Sequence, residues 1–203
     1  GEESGAERPF VINTEGQTGD GYTMYGFQTS FGAPVFVQDE SGSYTSEVGM
    51  AGPEGEAFAQ WLSENGEDGA GYLSTTIDYD INNELFNSGE AAYTVQGPWA
   101  IASFPDVDVA VNPIPSAGGE PAAPFVGVQG FFLSATSTNA LAANKFIVEY
   151  IGSEEVQTAL YEVGGRAPAL TAADDAASSD PIVAGFGAVG ANAVPMPSIP
   201  AVS

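Results

Sequence analysis

The side chains of this 203-residue chain that could do acid–base chemistry are almost all carboxylates. Asp and Glu number 27, Lys and Arg together number 3, and there is neither His nor Cys. Cysteine nucleophiles, an imidazole base and most zinc sites are therefore excluded. Any catalysis would have to use a carboxylate pair, as glycoside hydrolases do. The available residues are Asp20, Asp78, Glu84 and Glu90, and their positions in the sequence do not place any two of them together.

Aromatic residues beside turns favour binding over catalysis. Sugars have apolar C–H faces bordered by hydroxyl groups, so a carbohydrate site combines flat rings with nearby carboxylates and amides. Three places have this combination: Tyr22 near Asp20, Tyr79 beside Asp78, and Trp99 after Gly97-Pro98. The residues alone leave a second interpretation open, in which the tyrosines are partly exposed core residues and Trp99 fills a gap under its turn.

The formal net charge of −24 excludes partners that require a basic surface. Nucleic acids and anionic membranes both bind to clustered Lys and Arg, and Arg8, Lys145 and Arg166 are scattered along the chain. The imbalance comes from missing cations, which indicates a solubility adaptation of a secreted or salt-exposed protein. No apolar run reaches the roughly 20 residues that span a bilayer.

Hydrophobic periodicity and turn residues predict alternating helices and strands, and hence an α/β protein. The predicted helices are one at 52–66, one that begins with Asp80 as its N-cap and stops at Gly89, a helical hairpin at 139–164 broken at Gly152-Ser153, and one from 180 to about 192. The predicted strands are 10–13, 92–95, 107–115 and 130–135, with a β-hairpin around 39–42.

Three stretches carry a more specific pattern. They are "DYDINNELFNSGEAAYTVQGPWAI", "PAAPFVGVQGFFLSATSTNALAANKFIVEYIGSEEVQTALYEVGGRAPAL" and "VPMPSIPAVS". They resemble the maltose-binding branch of the extracellular solute-binding proteins of ABC importers, in which a helix leads to a strand and then to a Gly-Pro-Trp turn. The resemblance begins at Phe10 and implies a type II periplasmic-binding-protein-like fold with two lobes, of which this chain supplies mainly the second.

The resemblance also implies how the chain is divided between the lobes. Residues 1–125 would form the sugar-binding α/β segment of the second lobe, 126–178 would cross to the largely absent first lobe, and 179–203 would return as a helix and tail. The crossing segment should then expose apolar side chains in the isolated chain, among them Phe131, Leu133, Phe146, Ile147 and Leu160.

The ligand-binding residues implied by the resemblance are five. The stacking tryptophan of the family corresponds to Trp99, and its sugar-contacting tyrosine corresponds to Tyr79. An acidic and aromatic pair corresponds to Asp20 and Tyr22, and a cleft methionine corresponds to Met196. The family commonly has Glu-Pro-Tyr where this chain has Asp-Gly-Tyr, so the sugar itself is left open.

The implied function is capture of a maltodextrin-like oligosaccharide in the cleft between the lobes, without enzymatic chemistry and without a cofactor. The ligand would then be delivered to the permease subunits of an ABC importer. We expect the protein at the cell surface or in the periplasm, with a lipid anchor on the full-length protein and no membrane-spanning segment here. Three alternatives remain. The first is the same fold with another ligand, which could be a different sugar, a polyamine or a metal chelate. The second is an extracellular glycoside hydrolase or its sugar-binding module, and the third is a surface adhesin.

Overall fold

Helices make up most of the regular structure in the computed structural model, which describes residues 4–16 and 19–200. The elements are α1 Gly21–Ser30, β1 Phe36–Gln38, β2 Tyr44–Val48, α2 Pro53–Asn65, α3 Tyr79–Asn87, a 3₁₀ helix Pro98–Ser103, β3 Phe125–Val126, α4 Ala140–Lys145 with a π-helical continuation Phe146–Ile151, α5 Glu154–Gly164, α6 Thr171–Ala177, α7 Pro181–Gly190 and β4 Val194–Pro195.

The strands of the described residues form two small sheets. β1 and β2 are the predicted antiparallel hairpin, and β3 pairs in parallel with β4 in the register Phe125↔Val194 and Val126↔Pro195. The predicted strands 10–13 and 92–95 are reduced to single parallel bridges, one of which joins Val11 to Thr94. They are therefore extended segments joined by one bridge and not the strands that were predicted.

The predicted strands 107–115 and 130–135 are wrong. Neither segment belongs to a strand or an isolated bridge within the described part of the chain. A strand requires a neighbour that completes its backbone hydrogen bonds, and the apolar pattern of a segment does not say whether that neighbour is present. In the 130–135 segment, Phe132 is 91% exposed.

The core lies between α1, α2 and the extended segment that follows Phe10. Ile12, Phe27, Phe58 and Leu73 form its buried centre. Trp61 packs on Phe27 with ring centroids 5.3 Å apart, and it shares one face of α2 with Phe58 because residues i and i+3 are neighbours on a helix. The helix predicted at 52–66 is confirmed, with a proline in its first turn and Gly66 as its C-cap.

The N-cap predicted for α3 is wrong by two residues. Asp78, and not Asp80, has the extended backbone of a cap, and its Oδ1 accepts a hydrogen bond from the Ile81 N–H at 2.9 Å. Asp80 lies in the first turn, where a carboxylate interacts favourably with the helix dipole. The sequence Asp-Tyr-Asp satisfies the capping preference at either aspartate, so composition alone did not decide between them.

The remaining helix predictions are confirmed, and two α-helices and the 3₁₀ helix were missed. Ser153 caps α5 after the break in the helical hairpin, and Asp180 caps α7. The second carboxylate oxygen of Asp180 accepts a hydrogen bond from the Tyr161 hydroxyl at 2.8 Å, which ties α7 to α5. α6 and α1 were not predicted. In α1, a continuous run from Tyr25 to Gln28 is buried, so this helix lacks the one-sided apolar pattern that sequence reading detects.

Large apolar side chains are exposed between β3 and α6. Phe132 is 91% and Val163 92% exposed, and the same segment exposes Phe131, Leu133, Phe146 and Leu160. Of the five side chains named from the resemblance, only Ile147 is half-buried. Soluble monomers rarely expose large contiguous apolar patches, so these exposed side chains are suited to an apolar partner. The domain division at 125 and 178 stays a prediction.

We expect the isolated 203-residue chain to self-associate through the exposed apolar side chains between β3 and α6. Static light scattering should give a mass above the 20.7 kDa of the monomer that rises with protein concentration, because association removes apolar surface from water. Replacing Phe132 and Val163 together by Ser should lower that mass, whereas the control Met50→Ser should not. A monodisperse monomer at all concentrations would contradict the expectation.

Candidate ligand-binding site

Three aromatic rings from distant parts of the chain meet on one surface, and we call them the aromatic wall: Tyr22, Trp99 and Phe125. The ring centroid of Tyr22 lies 6.0 Å from that of Trp99 and 5.7 Å from that of Phe125. Behind the wall, the buried Tyr25 stacks on Phe125 with centroids 3.7 Å apart and an angle of 6° between the planes. Tyr22 and Trp99 are 36% and 40% exposed, so they present ring surface to solvent.

Trp99 is held by the turn that precedes it. Gly97 has an extended backbone, Pro98 starts the 3₁₀ helix, and Ala100 is fully buried beneath it. The indole folds back over residue 97, where a Cβ atom would collide with the six-membered ring. The indole is 40% exposed, so it packs on its turn without being buried beneath it.

Asp20 is the N-cap of α1. Its Oδ1 accepts hydrogen bonds from the backbone N–H groups of Tyr22 at 3.1 Å and Thr23 at 3.0 Å. Its Oδ2 accepts from Asn13 Nδ2 at 3.0 Å and from the Thr23 hydroxyl. The carboxylate therefore fixes the first turn of α1, which carries Tyr22, and it is not a solvated acid at a loop tip.

Tyr79 is the first residue of α3, and its ring touches no other aromatic ring of the described chain. The helix itself is positioned by two buried amides. Asn82 Oδ1 accepts from the Thr94 hydroxyl at 3.1 Å, and Asn83 Oδ1 accepts from Gln96 Nε2 at 3.1 Å. These bonds fix α3 against the segment that enters the Gly-Pro-Trp turn. Sequence reasoning missed both asparagines, because their partners lie beyond the local turn.

Met196 follows β4 directly and is 53% exposed. Gly127 follows the paired strand β3 in the same way. A Cβ atom at Gly127 would lie 3.7 Å from the Tyr22 hydroxyl, so the end of β3, the strand paired with β4, borders the aromatic wall. The structure thus groups Asp20, Tyr22 and Trp99, places Met196 directly after β4, and leaves the Tyr79 ring outside the group.

The wall carries no positive charge. Lys145 pairs with Glu149 at 3.6 Å, Arg166 donates to Gln129, and none of the cations in the described residues contacts the rings of Tyr22 or Trp99. Residues 4–16 and 19–200 also contain no group of three His, Cys, Asp or Glu side chains that could hold a metal ion. The Tyr22 hydroxyl and the Trp99 N–H have no hydrogen-bond partner among the described residues, which leaves them available to an uncharged polar ligand.

A protein-family model described as "Bacterial extracellular solute-binding protein" matches residues 10–185. The chain belongs to this family. The family description confirms the location outside the cytoplasm that the resemblance implied. In the described part of this solute-binding chain, no helix combines the length and the apolar character needed to cross a bilayer.

The relatives of this solute-binding chain include maltotriose binders. A solved structure of the Thermus thermophilus maltotriose binding protein with bound maltotriose is 31% identical and superposes with a TM-score of 0.81, covering 97% of this chain and 52% of that chain. The maltotriose-binding protein of Pyrococcus abyssi is 33% identical over 137 residues, 64% of this chain and 30% of that protein. The maltodextrin-binding protein MdxE of Bacillus subtilis is 29% identical over 161 residues, 76% of this chain and 37% of that protein.

These matches confirm the resemblance and the type II periplasmic-binding fold. The chain spans about half of the solved relative and about a third of the curated ones. It therefore supplies mainly one lobe of the fold, and the aromatic wall is a surface of that lobe.

We expect Gly97→Ala to displace the Trp99 indole without unfolding the chain. The backbone at residue 97, with φ −101° and ψ 177°, accepts any residue, but the added methyl group occupies the position of the indole. In a Trp61→Phe background, the fluorescence of Trp99 should therefore change. Gly187→Ala, where a Cβ meets no atom within 4 Å, is the control. Identical spectra for the two alanine variants would refute the close packing of the indole on Gly97.

The capping role of Asp20 gives a second expectation. Asp20→Ala should lower the free energy of unfolding by about 0.5–2 kcal/mol, because alanine offers no acceptor to the first turn of α1. Asp20→Ser keeps a capping oxygen and should lose less. Urea unfolding of both variants makes the comparison, and equal stability of the alanine and serine variants would count against the cap.

Proposed function

We propose that this chain provides one wall of a binding site for an uncharged malto-oligosaccharide and acts in an ABC importer. The observation that carries the proposal is the pair of half-exposed rings of Tyr22 and Trp99, 6.0 Å apart on a packed scaffold. Ring faces accept the apolar C–H face of a sugar. The hydroxyl of Tyr22 and the N–H of Trp99 supply hydrogen bonds at the rim.

The orientation of the two rings suits an oligosaccharide better than a single sugar. Their planes are inclined by 56°, so one flat pyranose cannot stack on both faces at once. Successive units of a curved glucan can each contact one ring. The relatives named as maltotriose- and maltodextrin-binding proteins support this choice of ligand.

The charges of the site argue against the other solutes. An anionic sugar would meet no cation at the wall and a chain with a net charge of −24, which repels it. A polyamine would require free carboxylates, yet both oxygens of Asp20 already accept hydrogen bonds within the chain. A neutral ligand is not repelled by the net negative charge and does not require a free carboxylate.

Binding without chemistry is also the better interpretation of the acids. The matched relatives are named as binding proteins, and among the four candidate carboxylates Asp20 and Asp78 are helix caps. In the proposed mechanism, the sugar stacks on the aromatic wall, the two lobes close around it, and the closed form docks on the permease. A lipid anchor would hold the protein at the cell surface.

Trp99→Ala should weaken maltotriose binding by about 1–3 kcal/mol, which is the cost of truncating a central aromatic anchor. The fold should remain, because the side chain is exposed. Isothermal titration calorimetry measures the change in affinity on a longer, two-lobed form of the protein that contains both lobes of the fold. Tyr93→Ala is the control, at an exposed ring outside the wall. Unchanged affinity in the Trp99 variant would end the proposal, and tighter binding of spermidine than of maltotriose would favour a polyamine site.

A further inference from the structure

β4, the strand that leads to Met196, is weakly anchored by its own backbone. It contains two residues, Val194 and Pro195. The Val194 N–H donates to the carbonyl of Pro124 at 2.9 Å, but Pro195 has no N–H group to donate. Two paired residues do not make a stable ladder alone, so another contact is needed to hold β4 and the Met196 that follows it in place.

Tyr44 provides that contact. Its hydroxyl donates a hydrogen bond of 2.6 Å to the carbonyl of Pro195, across 151 positions of sequence. Tyr44 lies on β2 and is half-buried. Burial raises the pKa of the Tyr44 hydroxyl, so the group remains protonated and able to donate at neutral pH.

The hairpin that carries Tyr44 is itself fixed. The Thr45 hydroxyl donates to the carbonyl of Val37 across the two strands at 2.9 Å. In the turn, Asp39 Oδ1 accepts from the backbone N–H groups of Ser41 and Ser43 at 2.9 and 3.0 Å. The Tyr44 side chain therefore extends from a defined position.

The same hairpin also lies close to the support of the aromatic wall. The pKa of the Tyr25 hydroxyl is raised by burial and then by the nearby Tyr44 of the hairpin. The Tyr25 ring stacks on Phe125 of β3, and β3 pairs with β4. The Tyr44 hydroxyl thus connects the hairpin to β4, and the Tyr25 ring packs on β3.

We propose that Tyr44 is a positioning residue of the ligand site, which acts by fixing Pro195 and thereby holding Met196 against the aromatic wall. This inference rests on the proposed sugar-binding function. Tyr44 does not itself touch the ligand. The tether holds Pro195 through its carbonyl group, because this proline has no N–H with which to anchor β4.

The first test is binding of maltotriose by a two-lobed form of the protein with Tyr44→Phe, which removes the hydroxyl and keeps the ring. We expect affinity to fall by about three- to tenfold, the size of one net hydrogen bond. In a Met196→Ala background the same substitution should have no further effect, because the group that it positions is gone. Tyr93→Phe is the matched control and should leave affinity unchanged. Fully additive effects of the Tyr44 and Met196 substitutions would overturn the proposal.

The second test needs no ligand. The chain has three methionines, so ¹³C-methyl methionine NMR of the 203-residue chain resolves Met196 from Met24 and Met50. In Tyr44→Phe, the Met196 signal should shift and sharpen as the tail gains freedom, while the Met24 signal, from a residue packed on the core, stays in place. An unchanged Met196 signal would overturn the tether. If the unsubstituted two-lobed protein does not bind maltotriose, the proposed function fails, and the Met196 signal still decides whether Tyr44 holds the tail.

Discussion

The stack of Tyr25 on Phe125 is the contact on which the candidate site depends. Its centroid distance of 3.7 Å joins α1 to β3, and β3 in turn aligns β4. Aromatic pairs contribute about 0.5–1.5 kcal/mol beyond their buried area, but here the geometric effect matters more. Phe125 also contacts Tyr22, so the stack of Tyr25 on Phe125 determines the position of the exposed Tyr22 ring. The wall is therefore an extension of the core.

Because the chain has few cations, helix caps and neutral hydrogen bonds take the place of salt bridges in the remainder of the fold. Lys145 and Glu149 form the one salt bridge found among the described residues, and both side chains are too exposed for it to add much stability. Acidic side chains serve as helix caps, as Asp20 and Asp180 do. Neutral hydroxyls join distant segments, since the fully buried Ser30 side chain accepts from the N–H groups of Ala117 and Gly118 at 3.1 Å. Such bonds avoid the desolvation cost of burying paired charges.

Rules that depend on neighbouring residues correctly predicted the ends of several helices in this chain. A proline start and a glycine stop sufficed for the helix at 52–66, and Ser153 was a correct cap because capping depends on neighbours within three residues. The strands at 107–115 and 130–135 failed because a strand depends on a partner elsewhere. For the site, residue types and the family resemblance nominated Trp99 and Tyr22, but their contact across the fold is tertiary. Neither the Asn82 and Asn83 amides nor the Tyr44 tether could be derived from spacing, since each bond reaches a partner beyond the local turn.

A rigid wall on one lobe has a consequence for how a two-lobed protein gains affinity. Ligand binding costs free energy for every side chain that must be ordered on association. The rings of Tyr22 and Trp99 are already held by Phe125 and by the turn at Gly97, so little of that cost falls on this lobe. Under the proposed function, most of the ordering would then belong to closure of the opposite lobe, whose approach would bury the remaining face of the sugar. This lobe would contribute preorganised stacking, and the closing motion would contribute the enclosure that excludes water.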